Sequence, residues 1–243
     1  MTDRFSSCVK KKLLGKNRNL VSFDEPFDAM RRLLKSHKVT GIIDAGASNG
    51  RISKRLLRRF PTAQAYAFEP NCLYAETLKQ YARDEPRFHP QFLALSDIEG
   101  QATLHVTESP GSTSLLATGK RLREIMPDGS SLRSKEKVEL VTIDNWAKRN
   151  GDPAIELMKF DIQGGELKAL RGAVRTLQSS TLMVYAEISF NPLYEDGPIY
   201  SEIDLFLREY GFALYDIYKP KYGPNGLILW ANAIFVDTER LGL

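Results

Sequence analysis

The sequence predicts an α/β fold with a seven-stranded, mostly parallel sheet, a reversed last strand and helices on both faces. Short apolar runs alternate with amphipathic stretches of helical spacing along most of the chain. Three of the apolar runs end in an acidic residue that lies close to glycine or proline. Repeated strand, turn and helix patterns are typical of units whose strands run parallel and whose helices cover the sheet.

The first such unit lies at residues 41–60. Ile42 and Ile43 supply an apolar strand, Gly46 and Gly50 allow a tight turn, and residues 51–60 have helical composition. Dinucleotide folds place G-x-G-x-x-G here to hold a pyrophosphate, whereas this chain has G-x-x-x-G. Asp44 at the strand end would repel a pyrophosphate and suits a cationic ligand such as S-adenosylmethionine. The turn taken alone is also consistent with simple chain reversal.

A second carboxylate makes the ligand-binding interpretation stronger. Residues 65–68 form the next strand pattern, which ends at Glu69 and is followed by Pro70. In an open α/β sheet, ligands bind beyond the carboxyl ends of the strands, so Asp44 and Glu69 should face one crevice. A carboxylate at the second strand end can accept hydrogen bonds from both hydroxyls of a ribose. We therefore expect a nucleoside-containing cofactor.

A third acidic strand end lies in the second half of the chain. Residues 157–160 form a buried strand pattern that ends at Asp161, and Gly164 and Gly165 precede a helix that begins at Glu166. The following strand, at residues 182–188, carries Glu187 near its end. Both carboxylates are expected in the crevice that holds Asp44 and Glu69.

The remaining elements complete the alternating pattern. We expect helices at 26–34, 71–82 and 166–177, strands at 92–97, 102–106 and 138–143, a helix capped by Asp144, and a terminal antiparallel pair at 212–218 and 229–236. Residues 107–137 are polar and too long for a bare connection. They predict either a lid over the site or a partly helical insertion.

Length and charge indicate one domain at 25–243, preceded by a basic arm at 1–24. The net charge of +4 arises in residues 1–20, which hold six basic residues and one acidic residue. The rest is close to neutral, so no nucleic-acid partner is expected. No apolar run reaches a membrane span and no signal-peptide pattern is present, which predicts a cytoplasmic protein. Cys8 and Cys72 form no C-x-x-C pair, and no metal site is predicted.

The ordered set of motifs resembles the FkbM family of S-adenosylmethionine-dependent methyltransferases. The motifs are Asp44-Ala45-Gly46-Ala47-Ser48-Asn49-Gly50, Phe68-Glu69-Pro70, residues 94–97 with Gly100, residues 111–115, residues 141–144, and residues 159–164 through 170–173. The resemblance implies a Rossmann-like class I methyltransferase fold and methylation of hydroxyl oxygens on sugars, glycans or secondary metabolites. Gln163 stands where the family often has Glu, which weakens a metal-dependent mechanism. Gly165 stands where it often has Ala or another small residue.

The resemblance also implies a set of cofactor contacts. Asp44, Gly46, Ala47, Ser48 and Gly50 would surround the methionine part, Glu69 with Pro70 would hold the ribose, and Leu95 and Ser96 would line the adenine. Reasoning from the residues agrees for the first group and is silent on the adenine, since Leu95 is also consistent with an ordinary core leucine.

Methylation of a hydroxyl requires a base and a held acceptor. Asp161 is our first choice for the general base and Glu187 the second, because both should end strands beside the cofactor. Either could instead cap a helix, and His89, which precedes Pro90 in an expected loop, is a further candidate. The expected acceptor contacts are Ser112, Thr113, Ser114, Asn191 and Tyr194.

Two other function classes stay open. An RNA or amino-group methyltransferase is possible, although the fourth strand lacks the Asn/Asp-Pro-Pro-Tyr/Phe signature with which such enzymes often grip a planar amine. A non-catalytic nucleotide-binding module is the other alternative. The acceptor itself is not specified by any motif.

Overall fold

The computed structural model describes residues 25–243, and the predicted basic arm at 1–24 lies outside them. The strands are β1 (Gly41–Ala45), β2 (Gln64–Phe68), β3 (Phe88–Gln91), β4 (Ala94–Leu95), β5 (Gly100–Thr107), β6 (Leu132–Val141), β7 (Leu157–Phe160), β8 (Met183–Ser189), β9 (Phe212–Tyr222) and β10 (Ile228–Asp237). The α-helices are α1 (Pro26–Leu33), α2 (Arg51–Arg59), α3 (Ala75–Asp84), α4 (Lys120–Ile125), α5 (Ile143–Arg149), α6 (Glu166–Arg171), α7 (Val174–Ser179), α8 (Tyr200–Glu209) and α9 (Thr238–Leu241). Short 3₁₀ turns lie at Cys72–Tyr74 and Pro110–Ser112.

The main sheet has seven strands in the order β3-β2-β1-β7-β8-β10-β9. The first five strands in that order run parallel, and β10 is antiparallel to both β8 and β9. This topology confirms the predicted sheet with its reversed last strand. Its central strands are buried on both faces and mostly apolar, as expected for strands covered by helices on each side.

Helices cover both faces because side chains alternate along each strand. Ile43 packs with Trp146 of α5 and Leu170 of α6 in one buried cluster. Its neighbour Ile42 packs on the opposite face with Phe27 of α1. The pattern of α1 also fits its predicted start, since the Glu25 carboxylate accepts a hydrogen bond from the Phe27 backbone N–H and caps the helix.

The sequence predicts the third strand at 92–97, but in the structure it lies earlier in the chain. The third strand of the main sheet is β3, which contains His89 and Pro90 and pairs with β2 at the edge of the sheet. Proline is tolerated at such an edge because its missing N–H interrupts no inner ladder. Ala94 and Leu95 instead form β4 in a second sheet. The expectation that His89 lies in a loop was therefore wrong.

The second sheet has the order β4-β6-β5, and it shortens the predicted insertion. Strand β6 begins at Leu132, not near 138, because β5 offers an antiparallel partner along nearly its full length. The intervening segment holds a 3₁₀ turn and α4, so it is partly helical.

Two helix predictions need correction. The predicted helix at 166–177 is divided at Gly172, where the backbone passes so close to Ser96 that a Cβ would lie 2.2 Å from its carbonyl oxygen. Helix α5 is capped by Thr142 and not by Asp144. The Asp144 carboxylate accepts hydrogen bonds from the backbone N–H groups of Arg175 and Thr176, at the start of α7. Within residues 25–243, no helix combines the length and apolar character that crossing a bilayer requires.

Candidate active site

A cavity of about 400 Å³ opens at the carboxyl ends of the central parallel strands. The glycine loop after β1 forms one wall, Glu69 after β2 forms another, and Asp161 after β7 lies beside Glu187 of β8. The loop at 110–115 contributes further lining residues. This is the position at which an open α/β sheet binds its ligand.

The glycine loop, residues 46–50, is packed closely against the backbone of neighbouring strand ends. Gly46 has a φ of +74°, and a Cβ at this position would lie 1.9 Å from the carbonyl oxygen of Asp161. Its N–H donates to the carbonyl of Phe68 at 2.9 Å. Ser48 also has a positive φ, of +51°, and Gly50 at +76° forms the N-cap of α2. The turn brings backbone from β1, β2 and β7 close together and leaves room above it.

The Glu69 carboxylate is fixed by two main-chain donors. Its Oε2 accepts from the Ser48 N–H at 2.8 Å and its Oε1 from the Asn71 N–H at 2.9 Å. Each oxygen retains a lone pair for a further donor. Burial raises the pKa of Glu69 above its ordinary value, although both N–H bonds act in the opposite direction. The side chain is therefore a rigid acceptor at the cavity wall.

Asn71 supplies a complementary donor that no motif in the sequence indicates. The residue is 2% exposed and lines the cavity next to Glu69. Its Oδ1 accepts from the Leu73 N–H at 3.0 Å, which fixes the orientation of the amide. Its Nδ2 has no hydrogen-bond partner among the described residues. A buried amide donor without a partner is costly, so this atom is available to a ligand.

Asp44 does not line the cavity. Its side chain is fully buried, with Oδ2 accepting from the Ser53 hydroxyl at 2.6 Å and Oδ1 lying 3.0 Å from Lys159 Nζ. The same ammonium donates to the carbonyl oxygens of Ala45 and Gly46, each at 2.9 Å. Asp44 thus holds the glycine loop through Lys159, and its charge is compensated inside the protein.

Lys159 is itself a sequence signal for this ion pair. Lys159 stands within the apolar strand β7, between Met158 and Phe160. A charged residue in a buried strand requires a partner. Burial would lower the pKa of Lys159, but the charges of Asp44 and Asp161 outweigh it and keep the pKa above its ordinary value.

Asp161 and Glu187 meet on one amide group. The Nε2 atom of Gln163 donates to Asp161 Oδ1 at 2.7 Å and to Glu187 Oε2 at 2.8 Å. The Oε1 atom of the same amide accepts from the Tyr194 hydroxyl at 2.6 Å. Gln163 has a φ of +56° and lines the cavity together with both carboxylates.

Glu187 and Glu166 both have raised pKa values. Burial raises the pKa of Glu187 well above its ordinary value, and the charges of Asp161 and Glu166 raise it further. Burial also raises the pKa of Glu166 to about 7. The Glu166 carboxylate accepts from the backbone N–H groups of Ile162 and Gly164, so it fixes the turn that carries Gln163.

The structure brings together many of the residues expected in the site. Those that line the cavity are Gly46, Ala47, Ser48, Glu69, Pro70, Leu95, Thr113, Ser114, Asp161 and Glu187. Those that lie outside the lining are Asp44, Gly50, His89, Ser96, Ser112, Asn191 and Tyr194. Several of the outer side chains are held by contacts within the protein. The Asn191 amide, for example, donates to the carbonyl of Ile228, and His89 bonds Gln64 and stacks on Tyr66.

Comparison with known families assigns this architecture. The model of the methyltransferase FkbM domain matches residues 44–214. The chain belongs to the FkbM methyltransferase family. The match confirms the resemblance seen in the motifs, and the sheet order with one reversed strand is that of the class I methyltransferases. The cofactor of this FkbM protein is S-adenosylmethionine.

Two relatives are each 26% identical to this FkbM protein. The 2-O-methyltransferase NoeI of Sinorhizobium fredii matches over 170 residues, which cover 68% of this chain and 70% of the relative. Methyltransferase sdnD of Sordaria araneosa matches over 193 residues, which cover 70% and 73%.

Two solved methyltransferase structures of low sequence identity are among those that match this chain. Methyltransferase FkbM from Methylobacillus flagellatus is 15% identical, with a TM-score of 0.48, and the match covers 81% of this chain and 44% of that one. Magnesium protoporphyrin IX methyltransferase from Synechocystis, solved with bound SAM, is 9% identical, with a TM-score of 0.45 and coverage of 87% and 77%.

The cavity residues of this FkbM protein fit its cofactor. Glu69 offers two fixed oxygens for ribose hydroxyls, and Asn71 Nδ2 offers an unused donor beside them. Leu93 and Leu95 supply apolar walls for a base, and the glycine loop leaves backbone exposed to the ligand. A volume of about 400 Å³ is within the range of small-molecule sites.

Proposed function

We propose that this FkbM methyltransferase methylates a hydroxyl oxygen of a sugar, glycan or secondary metabolite, with Asp161 as the general base. The observation that carries the proposal is the arrangement of one cavity. Glu69, which is proposed to hold the nucleoside, lies on one wall, and a pair of carboxylates, Asp161 and Glu187, lies on another. The similarity to a 2-O-methyltransferase supports the choice of oxygen.

We further propose which residues hold the cofactor. Glu69 would accept hydrogen bonds from the ribose hydroxyls, and Asn71 would donate a hydrogen bond beside them. Ala47 and Ser48 would lie along the methionine part. Asp44 would act indirectly, because it fixes the loop through Lys159 and does not face the cavity. When bound, S-adenosylmethionine would supply an electrophilic methyl group, whose bond to sulfur breaks as the acceptor oxygen attacks, with the thioether as the leaving group.

The chain's own residues would make the acceptor nucleophilic. Asp161 is partly exposed to the cavity and carries a carboxylate that can accept the hydroxyl proton as the new oxygen–carbon bond forms. Burial raises the pKa of Glu187 well above its ordinary value, which favours the protonated form of Glu187, so Asp161 is the proposed base. Thr113 and Ser114 line the same cavity and are proposed to contact the acceptor.

A methyl-transfer assay tests this function. Labelled cofactor is incubated with panels of hydroxylated sugars, glycolipids, amines and RNA, and we expect transfer to a hydroxylated compound. Asp161→Asn keeps the side-chain shape and removes the base, so kcat should fall by roughly 10² to 10⁴ with little change in cofactor affinity.

Asp84→Asn is the matched control, because Asp84 is exposed and lies at the end of α3 away from the cavity. It should keep full activity. Methylation of RNA or of an amine alone would contradict the oxygen assignment. Loss of cofactor binding in Asp161→Asn would show that Asp161 holds the cofactor, and Glu187 would then be tested as the base.

A further inference from the structure

The contacts of Gln163 are more constrained than those of an ordinary cavity-lining glutamine. Both hydrogens of its Nε2 are used, one on Asp161 and one on Glu187, at 2.7 and 2.8 Å. The Tyr194 hydroxyl donates to Oε1 at 2.6 Å. The Gln163 carbonyl oxygen accepts from the Ser114 hydroxyl, also at 2.6 Å. Gln163 is therefore hydrogen-bonded to four side chains, those of Asp161, Glu187, Tyr194 and Ser114.

Tyr194 determines which end of the amide faces the carboxylates. Its hydroxyl has a second, longer contact with the carbonyl of Ser112 at 3.4 Å, so the shorter bond to Gln163 is the better one. Tyr194 is 4% exposed and packs against Gly164, where a Cβ would lie 3.2 Å from the tyrosine side chain. A buried ring in this position cannot turn away without leaving its hydroxyl unpaired.

Two ionised carboxylates that bond to one nitrogen are close enough to repel each other. A cation commonly lies between such carboxylates and offsets their charges. Here the group between Asp161 and Glu187 is the neutral amide of Gln163, which offers each of them one N–H donor. The charged and titratable groups around Glu187 are Lys159, Asp161, Glu166, Tyr185 and Tyr194. Lys159 is the cation among them, and its ammonium is within 3.0 Å of Asp44.

We propose that Gln163 is the positioning residue of a proton-accepting carboxylate pair, and that Tyr194 fixes the orientation of its amide. The proposal rests on the proposed function of Asp161 as the base. The amide holds both carboxyl groups at one place, and each of its N–H groups stabilises the ionised form of the carboxyl group that accepts it. The proton of the acceptor hydroxyl then passes to Asp161 while Glu187 stays bound to the other N–H.

Two substitutions separate positioning from folding. Gln163→Leu removes both donors at similar volume, so Glu187 should titrate at higher pH and the acidic limb of the kcat profile should move upward by about one unit. Gln163→Glu replaces the donors by a third carboxylate. Within residues 25–243 no group of three or more Asp, Glu, His or Cys is arranged to hold a metal ion, and this variant would create one at the pair.

The proton affinity is read without cofactor or acceptor. In protein labelled with ¹³C at glutamate carboxyl groups, the Glu187 resonance should titrate at higher pH in Gln163→Leu than in the unmodified protein. Calorimetry with Mn²⁺ should detect binding to Gln163→Glu and none to Gln163→Leu. Gln80→Glu is the control, since Gln80 is an exposed residue of α3 that bonds Asp84.

Tyr194→Phe leaves Gln163 in place and frees its amide. We expect a several-fold loss of kcat and a smaller shift of the acidic limb, with an unchanged Kd for S-adenosylmethionine. An unchanged limb and an unchanged Glu187 titration in Gln163→Leu would overturn the proposal. If Asp161→Asn keeps full activity, the base assignment itself fails, whereas an inactive Asp161→Asn with an unmoved Gln163→Leu profile refutes only the positioning role.

Discussion

Two acidic residues on nearby strands of the same sheet are compensated in different ways. Asp44 is fully buried at the end of β1, where the ammonium of Lys159 and the hydroxyl of Ser53 meet both of its oxygens. Glu187 on β8 receives a neutral N–H from Gln163 and has further carboxyl groups as neighbours. A carboxylate with its own cation has its charge offset inside the protein and supports structure. A carboxylate without one holds or exchanges a proton, which is the property that chemistry requires.

The largest effect should come from breaking the compensated pair. Lys159→Met leaves Asp44 buried without its cation and removes two donors to the carbonyl oxygens of the glycine loop. Loss of one partner of a buried pair costs about 3–5 kcal/mol, so urea denaturation should show a decrease of that size in the free energy of unfolding.

A double-mutant cycle sharpens this comparison. Adding Asp44→Asn to Lys159→Met removes the orphaned charge, and the double variant should be more stable than the sum of the single effects predicts. Lys79→Met is the control, because the pair of Lys79 with Glu76 is exposed, and it should change unfolding far less. Additive effects at Asp44 and Lys159 would contradict a coupled ion pair.

The next effect concerns the cofactor wall. Glu69→Ala removes the acceptor for ribose hydroxyls, and charge-assisted hydrogen bonds contribute about 1.5–3 kcal/mol each. Calorimetry should show S-adenosylmethionine binding weakened at least tenfold. The melting temperature of the cofactor-free variant is measured alongside, since Glu69 also anchors the N–H groups of Ser48 and Asn71. A Kd equal to that of the unmodified protein would refute the ribose assignment.

The smallest effect is a change in the free energy of unfolding with pH that arises from Glu187. Because the folded-state pKa of Glu187 is raised above its unfolded value, the folded protein binds more protons and loses stability as pH rises between the two values. Glu187→Gln removes this loss. Relative to the unmodified protein, its free energy of unfolding should therefore increase with pH, by up to about 1.4 kcal/mol per unit.

Urea denaturation at pH 5 and pH 6 measures this difference. Glu166 has a raised pKa as well, but it is present in both proteins and largely cancels in the comparison. A stability difference that does not change with pH would show that Glu187 is already ionised in the folded state at pH 5.

The sequence by itself determined the central strands, the glycine loop and the acids that follow each strand. These features depend on local patterns: apolar runs, positive-φ turns at Gly46, and the rule that parallel strands present their carboxyl ends to one crevice. The cavity lining accordingly contains Glu69, Asp161 and Glu187 as predicted.

Only the tertiary structure decided which polar groups pair across that crevice. Asp44 lies 115 positions from Lys159 in sequence, and Gln163 lies 31 positions from Tyr194, yet each pair is in contact. Edge strand β3 and the early start of β6 likewise depend on partners elsewhere in the chain. Local propensity carries no information on such partners, because the free energy of a buried charge or amide is set by whatever group the fold places beside it.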